Sequence, residues 1–340
     1  MHVVEPADSV LAPSRRVGPL SGTAAARLAI ALALAIVFIA YLASDVVLSP
    51  TDAYVYLAAG ERLNAGHDLY AISSGDRVIG LNPPFWTVPT LSPPLLGVLW
   101  RPLAALGVSG MFVGWALAGV AYLFTLTVLV RSAPLAGVVT VAILAPFIGV
   151  QVGLGNVNGF LALGMLGLWV FRDRPWVIGG VLALMVSVKV TPVILGLWFI
   201  ATGRYRALAA TIAWMVVLAL VSLAGAGLDA HIEYVGVMTH TVSEGTSATS
   251  VAGALRALGM DPGMARLGPW ILLSVGSGLV ILLRSRPAWS FVIAVVLAVA
   301  GSPAFQPYWL AMMVVVLAPL VDPVRGEGSG RHQPSPASAG

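Results

Sequence analysis

The sequence predicts an all-α fold, a polytopic transmembrane helical bundle of about ten spans with one re-entrant or interfacial segment. Hydrophobic residues occupy 59% of the 340 positions and charged residues only 9%, whereas ordinary soluble domains carry about 25% charged residues. Long apolar runs recur along the chain, and such runs are the clearest structural signal that a single sequence contains. No water-soluble core could bury this much apolar sequence, so the chain is predicted to be an integral membrane protein.

Ten segments have the composition of membrane helices. They cover residues 26–44, 109–131, 134–150, 156–171, 176–188, 190–202, 207–227, 268–284, 288–301 and 305–321. Several are short, although a helix needs about 20 residues to cross ~30 Å of hydrocarbon. We expect the short segments to be half-buried helices that their neighbours shield from lipid. The first segment is interpreted as a signal anchor, because further spans follow it.

Residues outside the spans form tails, loops and one segment broken by proline. Six prolines interrupt the apolar residues 83–106, so a re-entrant or interfacial element is expected there instead of a regular span. The predicted divisions are a cytoplasmic tail (1–25), a membrane-embedded domain (26–322) with outer loops (45–82 and 228–267), and a disordered tail (323–340).

Positive charge sets the predicted orientation. With a cytoplasmic N-terminus and ten spans, 12 of the 18 basic residues fall inside, and the opposite orientation would leave six there. The net charge of +4 reflects arginines at the ends of apolar runs, so it does not indicate nucleic-acid binding. The sequence contains no cysteine, which excludes disulfides and thiol chemistry.

Asp52 is the leading candidate for a catalytic group on the outer face. It directly follows the first predicted span, and a carboxylate at the membrane surface can accept a proton from a sugar hydroxyl. The residues after it place Tyr56, Ala59 and Leu63 on one helical face before Gly66 ends the helix. The alternative is that Asp52 only caps this helix, since an acid is favourable near a helix N-terminus.

Lys189 is the only lysine in the chain and lies between two short apolar segments. A compact cation at the tip of a helical hairpin suits a phosphate better than lipid tails. The alternative is a snorkelling side chain that anchors the topology. The positive-inside bias does not explain a lone lysine on the side that is poor in arginine, which favours phosphate contact.

Amide side chains occupy the turn between the predicted spans that end at residue 150 and begin at residue 156. Gln151, Asn156 and Asn158 could bind sugar hydroxyls or only satisfy the open helix ends, and the sequence leaves both possibilities open. The turn Ser302 to Trp309 has the pattern of a proline-broken helix start with interfacial aromatic residues.

Metal and nucleotide chemistry lack support in the sequence. His231, His240 and Glu244 could form a metal site, but their spacing matches no metal motif, so a solvated loop is favoured. Motifs of the P-loop, Rossmann and zinc-protease types do not occur in the sequence, so energy input from a bound nucleotide is unsupported.

Several segments, taken in order, resemble glycosyltransferase family 87, the polyprenyl-phosphate-mannose-dependent mannosyltransferases of the membrane-embedded C-type superfamily. The similarity runs from about Tyr41 to Pro323, and its strength lies in five motifs that occur in the right order. The segments are Asp52–Tyr56 followed by Leu63–Tyr70, Leu81–Phe85 with Arg101–Ala104, Gly155–Asn158, Lys189–Pro192, and Gly301–Pro303 with Tyr308.

This resemblance implies a C-type-like catalytic domain whose site faces outward. The expected enzyme moves a sugar, mannose, from a polyprenyl-phosphate donor to a hydroxyl of an envelope glycolipid or glycan with inversion, and Asp52 would be the general base. The side chains expected to bind substrate are Tyr56, Asn82, Gln151, Asn156, Asn158, Lys189, His240, Arg256, Ser302, Gln306 and Tyr308. The donor lipid and the acceptor are the expected partners, no cofactor is assigned, and the expected location is the bacterial inner membrane.

The sequence departs from the family pattern at two places, and these departures weaken the assignment of the sugar and the acceptor more than the assignment of the reaction class. Ala248-Thr249-Ser250 stands where Asn-Gln-Ser is usual, and Gly155 precedes Asn156 where glutamine is usual. A polyprenyl-phosphate-arabinofuranose transferase and an inactive member therefore stay open. A further alternative is a lipid or sugar transporter with a midplane site, but the interiors of the predicted spans contain no acid, which speaks against it.

Overall fold

The computed structural model describes residues 50–71, 90–244, 250–302 and 304–321, without the side chains of residues 240–244. Within these ranges all regular structure is helical, which confirms the predicted all-α class. The α-helices are α1 (Thr51–Ala65), α2 (Pro94–Ala104), α3 (Val108–Ser132), α4 (Pro134–Gly153), α5 (Asn158–Val170), α6 (Pro175–Val188), α7 (Leu195–Ala201), α8 (Tyr205–Glu244), α9 (Val251–Ala257), α10 (Pro262–Ala265), α11 (Gly268–Leu282) and α12 (Pro287–Ala300). Two 3-10 segments complete the fold, a short turn Thr191–Ile194 and a longer helix Pro307–Leu320.

Four stretches of the described chain are long and apolar enough to cross a membrane. They are Val108–Ser132, Pro134–Gly153, Tyr205–Thr239 and Pro262–Leu282. Shorter apolar helices accompany them, and each of the nine predicted spans after the first overlaps a helix of the structure. The first predicted span lies outside the described residues, so the total of about ten spans stays a prediction.

The helix Pro307–Leu320, called the 307–320 helix below, has 3-10 geometry over all 14 of its residues. Its rise of about 2.0 Å per residue gives a length of about 28 Å, close to the ~30 Å thickness of the hydrocarbon layer. It packs against α4, α5 and α12, and the Tyr122 hydroxyl on α3 donates to the Ala311 carbonyl at 2.6 Å. Tertiary contacts therefore hold a helix type that seldom exceeds four residues by itself.

Helix α2 occupies part of the proline-rich segment that was predicted to be re-entrant or interfacial. It begins at Pro94, contains Pro102 and has 11 residues, so its length of about 16 Å is too short for a span. Arg101 fixes its position, because Nε donates to Asn64 Oδ1 on α1 at 2.9 Å and Nη1 donates to the Gly225 carbonyl on α8 at 3.0 Å. One side chain thus ties three helices together.

Helix α8 contains a sharp break at Gly227, whose φ of 79° and ψ of 170° are not helical. The predicted span ended at this residue, but the chain does not enter a loop there. A second helical segment instead runs from this break to Glu244, through residues that were predicted to belong to an outer loop. His231 braces the break, with Nδ1 2.7 Å from the Gly227 carbonyl and Nε2 3.0 Å from Ser222 Oγ.

Aromatic rings form the centre of the main hydrophobic core. The Phe291 ring on α12 lies 5.3 Å from Trp169 on α5 and 5.0 Å from Trp198 on α7, measured between centroids. The Trp198 indole donates to the Pro287 carbonyl, so its polar edge is also satisfied. These contacts join three short helices that could not each cross a bilayer as regular isolated spans.

Arginine side chains gather at one end of the short helices. Helix α5 ends at Val170 and α6 begins at Pro175, and the turn between them carries Arg172 and Arg174. The Arg204 guanidinium, which precedes α8, donates to the Arg172 carbonyl and pairs with the Asp173 carboxylate at 3.8 Å. Asn158 and Lys189 lie at the opposite ends of α5 and α6.

Candidate active site

The end of the bundle opposite these arginines carries a group of interacting polar side chains, called the polar cluster below. Its members are Asp52 and Tyr56 of α1, Gln151 of α4, Asn156 of the α4–α5 turn, Asn158 of α5, Lys189 of the turn after α6, and Tyr308 of the 307–320 helix. All seven were predicted to be site residues from the sequence. The structure brings them together from separate parts of the chain.

The N-terminus of α1 is fixed on the α4–α5 turn. The backbone N–H groups of Asp52 and Ala53 both donate to the Leu154 carbonyl, at 3.1 and 3.2 Å. Pro50 is the N-cap residue and makes no side-chain cap bond, and the Asp52 carboxylate accepts a hydrogen bond from Asn156 Nδ2 at 2.5 Å. The Asp52 side chain is therefore directed into the polar cluster and does not act as the cap of its helix.

Three amide side chains connect the aspartate to the lysine. The Asn158 backbone N–H donates to Asn156 Oδ1 at 2.9 Å, and Lys189 Nζ donates to Asn158 Oδ1 at 2.9 Å. Asn158 Nδ2 donates to Gln151 Oε1 at 3.0 Å, so the amide orientations are fixed by their partners. These amides are buried, and their mutual bonds satisfy the polar groups that burial removes from water.

The Lys189 ammonium also lies on an aromatic face. Nζ is 3.4 Å from the centroid of the Trp309 ring, within the range of a cation–π interaction. Burial lowers the pKa of Lys189 to about 7, and the charge of Asp52 acts in the opposite direction. A cation that is partly stripped of water in this way binds an anion more strongly than a solvated one does.

The environment of Asp52 has two opposing effects on its carboxyl group. Burial raises the pKa above the ordinary value, while the hydrogen bond from Asn156, the Lys189 charge and the Tyr308 hydroxyl lower it. Burial also raises the pKa of Tyr56 well above its usual range, and the nearby Asp52 charge adds to this effect. Tyr56 is thus a neutral hydroxyl beside a carboxylate whose proton affinity is increased, as a general base requires.

Gly155 lets α1 approach the turn that carries Asn156. Its φ of +66° lies in the left-handed region, and a Cβ at this position would be 2.7 Å from the Ala53 Cβ. A larger residue would be strained by its backbone and would push away the start of α1. The glycine that departs from the family pattern therefore has a clear structural role.

The other predicted site residues do not join the polar cluster through described contacts, or they lie outside the described part of the chain. Asn82 falls in an undescribed segment, and the His240 side chain is likewise not described. Arg256 lies on α9, which packs against α10 and α11, helices that contribute no member of the cluster. Ser302 accepts a hydrogen bond from the Ala304 N–H at 3.3 Å, and Gln306 precedes the 307–320 helix.

Trp309 was not predicted to be a site residue, although its ring lies against Lys189 in the structure. The only signal was its position after Tyr308 in a proline-broken turn, where aromatic residues commonly mark a membrane interface. The described residues hold no group of three or more His, Asp or Glu side chains that could bind an ion, and the His240 and Glu244 side chains lie outside them.

The arrangement has the parts needed for group transfer at a membrane surface. A carboxylate can take a proton, an ammonium group can hold an anion, and amides between them can bind hydroxyl groups. Phosphate-linked sugars supply both an anion and hydroxyls, so the geometry fits such a substrate chemically.

Comparison with known proteins gives a family match. The model of glycosyltransferase family 87 matches residues 91–323, a region that begins after Asp52 and Tyr56. The chain is 27% identical over 238 residues to the "Polyprenol-phosphate-mannose-dependent alpha-(1-2)-phosphatidylinositol pentamannoside mannosyltransferase" of Mycolicibacterium smegmatis. The similar region is 66% of this chain and 56% of that relative, so the chain spans little more than half of its length.

No solved structure matches the chain. The family model covers well over half of the 340 residues, including every member of the polar cluster that follows α1. The chain belongs to glycosyltransferase family 87.

Proposed function

We propose that this protein is an integral membrane glycosyltransferase that moves mannose from a polyprenyl-phosphate donor to a hydroxyl of an envelope glycolipid or glycan. The observation that carries the proposal is the connection of Asp52 to Lys189 through Asn156 and Asn158. This connection puts a carboxylate and an ammonium group in the same polar cluster, and in this proposal they act as the base and the phosphate-binding cation. Family membership supports the reaction class, and the name of the mycobacterial relative supports the choice of donor.

Transfer is a single displacement that inverts the configuration at the anomeric carbon. The acceptor oxygen forms a bond to that carbon while the bond from the carbon to the donor phosphate breaks. The acceptor proton passes to the Asp52 carboxylate, and the electron pair leaves with the polyprenyl phosphate. Lys189 stabilises the negative charge of this leaving group, which departs without needing a proton.

The remaining members of the polar cluster hold the substrates and the base in position. Asn156 donates to Asp52 and keeps its carboxylate oriented, while Gln151 bonds to Asn158, which accepts from Lys189 and holds the ammonium in place. Tyr308 of the 307–320 helix and Tyr56 of α1 both lie beside the Asp52 carboxylate. These contacts lower the cost of reaching the reactive geometry.

We further propose that the site opens on the non-cytoplasmic face of the bacterial inner membrane. The arginine-bearing turn between α5 and α6 lies at the other end of these helices from Lys189. Arginine-rich turns remain cytoplasmic in most membrane proteins, so the polar cluster is expected on the opposite side.

A transfer assay tests the function. Purified protein in vesicles is incubated with labelled polyprenyl-phosphate-mannose and total envelope lipids, and the lipid extract is analysed for labelled products. A labelled glycolipid is the expected result, and failure to form any labelled product with a correctly folded protein would contradict the proposal. A parallel reaction with polyprenyl-phosphate-arabinofuranose tests the donor sugar, because transfer from that lipid alone would replace mannose by arabinose.

A further inference from the structure

Trp309 is a buried residue at the edge of the polar cluster that the mechanism above does not use. Only 7% of its surface is exposed, and its ring carries the Lys189 ammonium on one face. The indole N–H lies beside the Tyr308 hydroxyl, but it forms no hydrogen bond of acceptable geometry with any described residue. A donor that is buried and unpaired in this way is rare in folded proteins and costs free energy.

Other tryptophans in the bundle show that this fold can satisfy an indole N–H. Trp115 donates to the Val152 carbonyl, Trp169 to the Val321 carbonyl and Trp198 to the Pro287 carbonyl. Trp169 gives the closest comparison, because the Arg172 guanidinium lies 4.3 Å from its ring centroid, and its indole is also paired. Among the described tryptophans, Trp309 is the only one whose indole N–H is buried without a hydrogen-bond partner.

Lys189 has N–H donors beyond its bond to Asn158 that an anion could use. An ammonium group has three N–H donors, and one of them bonds to Asn158 Oδ1. The aromatic face holds the ammonium in place, while the indole N–H points outward in the plane of the ring. An anion at the ring edge can accept from the indole and still contact the ammonium.

We propose that Trp309 binds the phosphate of the lipid donor, with its indole N–H donating to a phosphate oxygen and its ring face positioning Lys189 for the same group. This inference rests on the proposed function for its choice of ligand. It goes beyond that function because it makes the phosphate site a two-residue unit of an indole and an ammonium. The site is thereby selective for a lipid-linked phosphate over the corresponding lipid alcohol.

A binding experiment on the purified full chain tests this proposal without requiring transfer. The probes are geranylgeranyl phosphate, geranylgeraniol and inorganic phosphate, and affinity is measured for the wild type and for Trp309→Phe. The phenylalanine keeps an aromatic face for Lys189 and removes the N–H. We expect it to weaken binding of the lipid phosphate about tenfold, as loss of a hydrogen bond to a charged group does, and to leave binding of the alcohol unchanged.

Trp169→Phe is the matched control. It removes an indole hydrogen bond and keeps an aromatic ring under a cation, but it lies about 16 Å along α5 from Asn158. We expect this variant to bind the lipid phosphate with wild-type affinity. An equal loss of affinity in both variants would show a general effect on packing and would overturn the proposal.

Three further results would also overturn it. Trp309→Phe could bind the lipid phosphate as tightly as the wild type, it could lose the phosphate and the alcohol to the same degree, or inorganic phosphate could bind the wild type as tightly as the lipid phosphate does. If Trp309→Phe does not fold, ¹⁵N-indole NMR of the wild type replaces it. One of the ten indole signals is then expected to shift with geranylgeranyl phosphate and not with geranylgeraniol, and the absence of any such shift would contradict the proposal.

The binding result and the transfer result can fail separately. Trp309→Phe could lose affinity for the lipid phosphate selectively while no assay detects transfer. This combination would support the lipid-phosphate site and contradict only the transferase function. If Trp309→Phe transfers mannose normally and binds the lipid phosphate with unaltered affinity, the transferase function is supported and the role of Trp309 is contradicted.

Discussion

At the scale of single residues, Asp52 combines a catalytic advantage with a cost in stability. Burial raises its pKa, which brings a carboxyl group closer to the pH at which a general base works best. The same burial makes the charged form unfavourable in the folded protein. Asn156, Lys189 and Tyr308 offset only part of this cost, since the pKa stays above the ordinary value.

The first prediction concerns the thermal stability of Asp52→Asn. Because the folded-state pKa is raised, the folded protein binds this proton more tightly than the unfolded chain does, and stability falls as the pH rises through these values. The neutral amide avoids the effect and can still accept from Asn156. We expect the variant to melt at the same temperature as the wild type or higher at pH 7, as measured by nanoscale differential scanning fluorimetry. A clear decrease in the melting temperature would mean that the carboxylate stabilises the fold.

The second prediction concerns the pH profile of Lys189→Arg. The pKa of Lys189 is about 7, so kcat/KM for the lipid donor should fall above about pH 7 as the ammonium loses its proton. A guanidinium stays protonated, so the arginine variant should retain its own maximal value to higher pH, even if that value is lower than in the wild type. Initial rates between pH 5 and 9 provide the measurement. Identical alkaline limbs in both proteins would exclude Lys189 as the titrating group.

At the scale of elements, the α4–α5 turn determines how closely α1 can approach the polar cluster. Gly155 has a positive φ and leaves room for Ala53, and Leu154 accepts two backbone hydrogen bonds from the start of α1. The position of the Asp52 carboxylate therefore depends on backbone geometry at a residue without a side chain.

The third prediction is a loss of activity in Gly155→Ala. The positive φ costs a non-glycine residue about 1–3 kcal/mol, and the added Cβ displaces α1 and with it Asp52. We expect at least a tenfold lower transfer rate and a lower melting temperature. Gly167→Ala on α5 is the control, because its Cβ would meet only Phe171 at 4.0 Å, so both quantities should stay near wild type. Normal activity in Gly155→Ala would show that α1 does not depend on this turn.

Sequence patterns predicted where the helices lie along the chain better than whether each helix has α or 3-10 geometry. The apolar segments coincide with the helices because burial in a membrane demands apolar residues over a whole helix. The same uniformity hides which face packs inward, so the sequence could not predict the 3-10 geometry of the 307–320 helix, which depends on contacts such as Tyr122 to Ala311. The continuation of α8 beyond Gly227 was missed because a glycine and several charged residues also fit the start of a loop.

At the scale of the whole molecule, the two ends of the bundle differ in their polar side chains: arginines lie at one end and the polar cluster at the other. The turn around Arg172 lies at one end of α5, and Asn158 begins the same helix at the other end. The sequence alone predicted seven members of the polar cluster because polar residues that interrupt apolar runs must collect at helix ends. It could not predict that Trp309 faces Lys189, since ring stacking depends on how distant helices pack.

The fourth prediction concerns orientation. The chain contains no cysteine, so His67→Cys and Asp173→Cys each introduce a single thiol, and both positions are exposed. His67 follows the C-terminus of α1 in the predicted outer loop, and Asp173 lies in the turn that carries Arg172. In intact spheroplasts a membrane-impermeant maleimide should label the His67→Cys variant, whereas it should label the Asp173→Cys variant only after lysis. The reverse pattern would place the polar cluster on the cytoplasmic side.

The most direct test of the central claim is the transfer rate of Asp52→Asn. Labelled polyprenyl-phosphate-mannose and envelope lipids are given to equal amounts of wild type, Asp52→Asn and the control Asp68→Asn, whose exposed side chain lies in the same predicted outer loop. A general base contributes about 10²–10⁴ to the rate, so Asp52→Asn should transfer less than about 1% of the label that the wild type does, and Asp68→Asn should match the wild type. Transfer by Asp52→Asn at the wild-type rate would contradict the proposed role of this carboxylate.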